Sequence, residues 1–193
     1  SGKTSLAKLF MEFYSPDKGH IYVDGAELQN FEVQEIRKAV VYVSQEDFLF
    51  TASVRENLKM GNEEISDEEM IEISRKMGVH QFVSKMEREY DSVLEERGKN
   101  LSKGQRQKLS LTRAILRHPK ILILDEATSN MDSISEREIL NYIKGIRDIT
   151  LILISHRINV IADSDCIYVL QKGNIVARGT DEQLKEQCEL YRQ

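Results

Sequence analysis

This sequence predicts an α/β fold, a parallel core sheet flanked by helices, on three observations. Short apolar runs without alternation recur along it: Ala39 to Val43, Ile121 to Leu124 and Ile149 to Ile154. Such runs suit strands buried on both faces of a sheet that helices cover. Between them lie stretches of helical periodicity with start and stop signals. Each apolar run also ends in polar residues: Ser44-Gln45, Asp125-Glu126 and Ser155-His156-Arg157. The carboxyl ends of parallel strands are where open α/β sheets bind ligands.

The 193 residues suit one globular domain with a sizeable core, and 31% charged with 40% hydrophobic residues is ordinary for a water-exposed protein. A net charge of −5 argues against a nucleic-acid partner, which needs a basic face. Two cysteines, Cys166 and Cys188, give neither a disulfide framework nor a metal spacing, and reduced thiols are expected. No apolar run approaches the roughly 20 residues that span a bilayer, and no signal peptide is read. Membrane association is therefore expected only through a partner or through chain outside this sequence.

The elements follow in order. Ser1-Gly2-Lys3-Thr4-Ser5 matches the second half of the phosphate loop G-x-x-x-x-G-K-[ST], in which the lysine reaches the β- and γ-phosphates and the hydroxyl binds Mg²⁺. A helix is expected from about Thr4 to Tyr14, with Leu6, Leu9, Phe10 and Phe13 on its apolar face and its positive end at the phosphates. The turn Ser15 to Gly19 leads into a short alternating strand, His20 to Val23, and His20 reads as a surface imidazole. Glu35 to Lys38 is expected helical, before the apolar strand that ends at Gln45. Phe48, Leu49 and Phe50 are expected to expose three large apolar side chains on a loop, the mark of a contact surface.

Residues 61–98 turn acidic and helical. Ser66 caps a helix with acids in its first turn, and Met70, Ile71, Ile73 and Met77 are its core-facing positions. Ser102 and Gln105 have capping-box spacing, so a helix starts there and runs to about Arg117, stopped by His118-Pro119. A helix from Ser133 to Lys144, a hairpin of Ile167 to Leu170 with Ile175 to Ala177, and a final helix capped by Thr180 and Gln183 complete the chain. His80 and His118 receive no role.

Leu101-Ser102-Lys103-Gly104-Gln105, one helix before a four-apolar strand ending in Asp125-Glu126, resembles the nucleotide-binding domain of ABC transporters. The five residues are similar to that family's signature motif, with Lys103 where glycine is commonest, and Ile121 to Glu126 to its Walker B strand. The resemblance makes the fold a P-loop NTPase with a helical subdomain at about 51–100, inside a single ABC ATPase domain spanning 1–193. The first half of the phosphate loop, the strand before it and the adenine-stacking aromatic are missing, so the sequence is expected to be either an N-terminally truncated domain or part of a longer chain. Thr51 to Leu58 and Glu96-Arg97-Gly98 resemble the exporter branch.

The resemblance implies ATP and Mg²⁺ as ligands and assigns roles. Ser1, Gly2, Lys3, Thr4 and Ser5 bind phosphates, and Thr4, Gln45 and Asp125 form the metal shell. Gln45 matches the Q-loop, Ala127 to Asp132 the D-loop and His156 the switch histidine. Glu126 is the general base. Ser102, Lys103, Gly104 and Gln105 contact the γ-phosphate held by a second nucleotide-binding domain. A transmembrane domain docks near Phe48 to Phe50. The implied function is the ATPase motor of an exporter at the cytoplasmic face of the cell membrane, in a homodimer or a half-transporter dimer. Two alternatives stand beside it: a soluble, non-transport ABC ATPase, and a truncated fragment unable to hydrolyse ATP.

Overall fold

The computed structural model describes residues 2–46 and 48–192, so Ser1 of the phosphate loop lies outside the described residues. In chain order the elements begin with α1 (Lys3–Phe10), β1 (Tyr22–Val23), β2 (Ala26–Glu27), α2 (Val33–Ala39) and β3 (Val40–Val43). There follow α3 (Val54–Lys59), α4 (Asp67–Lys76), α5 (His80–Val83), α6 (Lys103–Leu116), β4 (Ile121–Asp125), α7 (Ser133–Lys144) and β5 (Thr150–Ile154). Last come α8 (Ile158–Ile161), β6 (Ile167–Gln171), β7 (Asn174–Gly179), α9 (Asp181–Gln187) and α10 (Glu189–Arg192). The chain divides into two compact units, one of Ser1–Ile36 with Leu153–Gln193 and one of Arg37–Ile152.

The unit Arg37–Ile152 is built on a parallel pair. β3 lies beside β4 in register from Val40 opposite Ile121 to Val43 opposite Leu124, within a sheet of order β3-β4-β5. The Lys120 N–H donates to the Ala39 carbonyl and the Thr150 N–H to the Lys120 carbonyl, both at 2.8 Å, which starts the strands level. β4 is buried from Leu122 to Asp125, as its unbroken aliphatic run predicts. β5 corrects the expectation of a third fully buried strand, because Thr150 is exposed and the next four residues are half-buried.

α6 is the pillar of this unit. Its Ser102 cap and Arg117 terminus fall where the sequence puts them, with His118 at φ 50° and Pro119 ending it. Eight of its fourteen residues are buried, and it packs on α3, α4 and β3. α4 starts at Ser66, whose Oγ accepts the Glu69 N–H at 3.1 Å, and Met70, Ile73 and Met77 are buried behind it.

In the other unit α1 stops at Phe10, a turn short of the expected Tyr14. Glu12 takes φ 51°, and Phe13 and Tyr14 are exposed, so no packing extends the helix. Its buried residue is Ala7, about 100° around the helix from Leu6, whereas Leu6 and Phe13 of the expected apolar face are exposed. β1 and β2 form a hairpin, and His20 Nδ1 lies 2.6 Å from Glu27 Oε1 across it, a partner that the sequence does not signal. β6 and β7 pair antiparallel as expected. α9 carries the Thr180–Gln183 capping box, but the chain folds once more into α10. The Tyr191 hydroxyl there donates to Asp181 at 2.9 Å, and Ile167, Leu184, Cys188 and Tyr191 form a small core. Both cysteines are free thiols, Cys166 exposed and Cys188 buried.

Candidate functional site

β4 ends in two carboxylates that the backbone treats differently. Asp125 continues the strand and is 7% exposed. A carboxylate this buried is costly unless donors or a cation satisfy it. The Tyr42 hydroxyl is one donor, 2.9 Å from Asp125 Oδ2. Burial and then this bond push the Tyr42 hydroxyl up to about 12, so its proton stays in place at every physiological pH. Glu126 leaves the strand at φ 53°, a left-handed conformation costing a non-glycine residue about 1–2 kcal/mol. The turn is held by the Ser129 N–H, which donates to the Glu126 carbonyl at 3.2 Å. Glu126 is thereby released from the strand's alternation. Backbone strain of this kind concentrates at functional positions.

The start of α6 lies in the same unit. Ser102 Oγ accepts the Gln105 N–H at 3.2 Å and Gln105 Oε1 accepts the Ser102 N–H at 2.9 Å, so the expected capping box is closed. Ser102 and Lys103 are exposed. A Cβ on Gly104 would sit 3.1 Å from the Asn130 carbonyl oxygen, a tight contact that favours glycine here. Two residues that the sequence reading passed over complete this fastening. Gln107 is fully buried and its Oε1 accepts the Asn130 N–H at 3.0 Å, while Lys108 Nζ donates to Ser135 Oγ at 2.9 Å. Two hydrogen bonds hold the helix start to the segment after Glu126. An amide on the apolar face of α6, four residues before Leu111 and seven before Ala114, is the sequence signal that could have found Gln107.

Gln45 stands two residues beyond β3 and is exposed. The expected cluster of three exposed side chains beyond it reduces to two. Phe48 and Phe50 are 55% and 39% exposed, with ring centroids 4.8 Å apart and edge-to-face, but Leu49 is 1% exposed. Leu49 points inward against Gly98, where an added Cβ would meet its Cδ1 at 2.9 Å. The backbone displaying the rings is tied down: Arg113 Nη2 donates to the Phe48 carbonyl at 2.7 Å. The buried Asn57 accepts the Phe50 N–H at 2.9 Å and donates to its carbonyl at 3.0 Å.

In the other unit Lys3, Thr4 and Ser5 are the first residues of α1. Gly2 is the N-cap at φ 93°, a conformation glycine adopts freely, and supplies no side-chain cap. The opening N–H groups of a helix have no carbonyl partner within it, which makes such an end suited to anions. His156 follows β5 and is exposed, and the Ser155 hydroxyl beside it accepts the Arg157 N–H at 3.0 Å.

The donor set suits a hard cation. Mg²⁺ is usually held by one or two carboxylates together with substrate phosphates and water, and Asp125 offers a buried carboxylate oriented by a hydroxyl. Among the described residues no group of three or more His, Cys, Asp or Glu is arranged to hold an ion unaided. Nor is any helix among them long and apolar enough to cross a membrane.

A parallel sheet flanked by helices, with charge at its strand ends, makes this a P-loop NTPase fold. A family model described as ABC transporter matches residues 1–129, two thirds of the sequence, and the chain belongs to that family. It is similar to the heterocyst differentiation ATP-binding protein HepA of a Nostoc species, 43% identical over 188 residues, 97% of this chain and 31% of that protein. It is 40% identical over 193 residues to the lactococcin-G-processing and transport ATP-binding protein LagD of Lactococcus lactis, 100% of this chain and 28% of that protein. A solved bacterial Atm1-family ABC exporter with ATP bound superposes with a TM-score of 0.94 at 32% identity, covering 99% of this chain and 34% of the other. The chain thus spans about a third or less of the length of these relatives.

Proposed function

We propose that this chain is the ATP-hydrolysing motor of an ABC exporter. It would act as a head-to-tail dimer with two ATP between the nucleotide-binding domains, as a homodimer or between half-transporters, at the cytoplasmic face of the membrane. One observation carries the reading: a buried strand ends in an anchored Asp125 and a left-handed Glu126, one helix after the capped signature Ser102. Residues 1–193 are taken as one ABC ATPase domain, with 51–100 as its helical subdomain.

Phosphoryl transfer asks a protein mainly for positioning and charge neutralisation. Ser1, Gly2, Ser5 and the head of α1 cradle phosphate oxygens with N–H groups, and Lys3 neutralises the β- and γ-phosphates. By the family resemblance, Thr4, Asp125 and Gln45 would be the residues that hold Mg²⁺, which would neutralise phosphate charge. Glu126 takes the proton from the attacking water as its oxygen bonds to the γ-phosphorus and the bond to the β-γ bridging oxygen breaks, releasing ADP. His156 orients the γ-phosphate and the water. Ser102, Lys103, Gly104 and Gln105 close the site of the second copy. The Phe48–Phe50 pair meets the transmembrane domain, an apolar display on a tied backbone.

The test is Mg²⁺-ATP turnover of this chain beside Glu126→Gln over a range of protein concentrations. Turnover rising faster than linearly with concentration, and falling about 100- to 10,000-fold in the variant, is expected of a dimeric ATPase with this base. Equal turnover in both proteins would remove Glu126 from the chemistry.

A further inference from the structure

We infer that Tyr42 is a positioning residue for the metal-binding carboxylate: its hydroxyl fixes the orientation in which Asp125 receives Mg²⁺. The inference rests on the nucleotide-binding reading above and adds to it a residue that no motif contains.

The register of the parallel pair makes the contact. Tyr42 is opposite Ile123, and Asp125 lies two residues further along β4. Side chains two residues apart share a face, so Tyr42, Ile123 and Asp125 project on the same side of the sheet. A diagonal neighbour at that offset is within reach of a long aromatic side chain. The phenol spans the gap and its hydroxyl ends 2.9 Å from Oδ2.

The surroundings argue that the hydroxyl is there for that carboxylate. β3 is otherwise valine: Val40, Val41 and Val43 are buried, and Tyr42 is its one half-buried position. A tyrosine in such a strand packs its ring as a phenylalanine would, and only the hydroxyl distinguishes the two. Here the hydroxyl goes to the buried acid at the strand end, 83 residues away in sequence. It donates to Oδ2. Carboxylates that ligate metals are commonly held by such outer hydrogen bonds, and losing one typically costs 10- to 100-fold in metal affinity.

The experiment compares the chain with Tyr42→Phe, which keeps the ring and removes one oxygen. Mn²⁺ affinity in the presence of ATP, read by electron paramagnetic resonance, is measured alongside thermal unfolding and the Mg²⁺ dependence of turnover. Weakening of Mn²⁺ binding by about tenfold or more, with metal-free ATP affinity unchanged and only the modest fall in Tm that one lost hydrogen bond brings, is the expected result. A matching rise in the Mg²⁺ needed for half-maximal turnover, with little change in its plateau, would support it further. Unchanged Mn²⁺ affinity in Tyr42→Phe would overturn the inference, and so would a fall in Tm alone, which marks a packing role. An unmodified chain that binds no Mn²⁺-ATP would overturn the nucleotide reading, and this inference with it.

Discussion

α1 and α6 both begin where the sequence places an anion, yet they are built in opposite ways. α6 starts from Ser102 with a closed capping box, runs fourteen residues and buries eight of them. α1 starts from a left-handed glycine with no side-chain cap, runs eight residues and buries only Ala7. A capping box satisfies part of a helix end from within the chain, so α6 needs no ligand to be a stable helix. A glycine cap leaves the opening N–H groups to whatever else approaches. The difference teaches that α6 is held from within the chain by its cap and its buried face, whereas α1 has neither a side-chain cap nor more than one buried residue.

The largest effect that could break this comparison is on stability. Leu111→Ala, at a fully buried position of α6, is expected to cost about 2–5 kcal/mol in urea unfolding. Leu6→Ala, on the exposed face of α1, should stay within about 0.5 kcal/mol. Similar losses in the two would end the pillar-against-surface distinction.

Next in size is a ligand effect confined to α1. Lys3→Ala should weaken nucleotide binding by about 10- to 100-fold through loss of a charge-assisted contact, with Tm unchanged in the absence of nucleotide. Isothermal titration with ATP reads the first and calorimetric unfolding the second. A parallel fall in Tm would mean that the lysine is structural.

Smaller still is the cap itself. Ser102→Ala should cost about 1 kcal/mol of stability, and Ser102→Gly only a few tenths. Both variants would lose turnover alike if the hydroxyl also serves the second copy. Turnover that tracks stability instead would reduce Ser102 to a cap.

The smallest effect comes from a third helix start, that of α7, where Asp132 accepts the Ser135 N–H at 2.9 Å. That backbone bond, and then the Ser135 side chain, hold the Asp132 carboxyl below its usual range. A depressed carboxylate pKa contributes stability that is present above the unfolded value, about 3.9, and is lost as pH falls through the folded one. Urea unfolding from pH 6 downward should show this loss, and Asp132→Asn, which still caps, should remove that part of the pH dependence.

Much of this was legible in the sequence because it is local. Capping boxes, a proline stop and unbroken aliphatic runs act within a few residues, and α6, α7 and β4 fall at or within a residue of their expected bounds. Misreadings arose where burial depends on distant chain. Leu49 looked like its neighbours Phe48 and Phe50, but a pocket beside Gly98 takes it inward. β5 had the composition of a fully buried strand, but its residues from Leu151 to Ile154 are half-buried and Thr150 is exposed. α1 had an apolar stripe that a left-handed Glu12 and exposed aromatics cut short.

The candidate site divides the same way. The sequence by itself determined which residues carry charge, which helix starts are capped and which strand ends in two acids, since these follow from residue type and short spacing. Only the tertiary structure decided that Asp125 is held by Tyr42, that Gln107 holds Asn130 beside Gly104, and that Glu126 turns left-handed out of the strand. Those contacts join residues 23 and more positions apart, or depend on what surrounds a single backbone angle. Pairing across such separations is set by sheet register and helix packing, which no short-range pattern encodes.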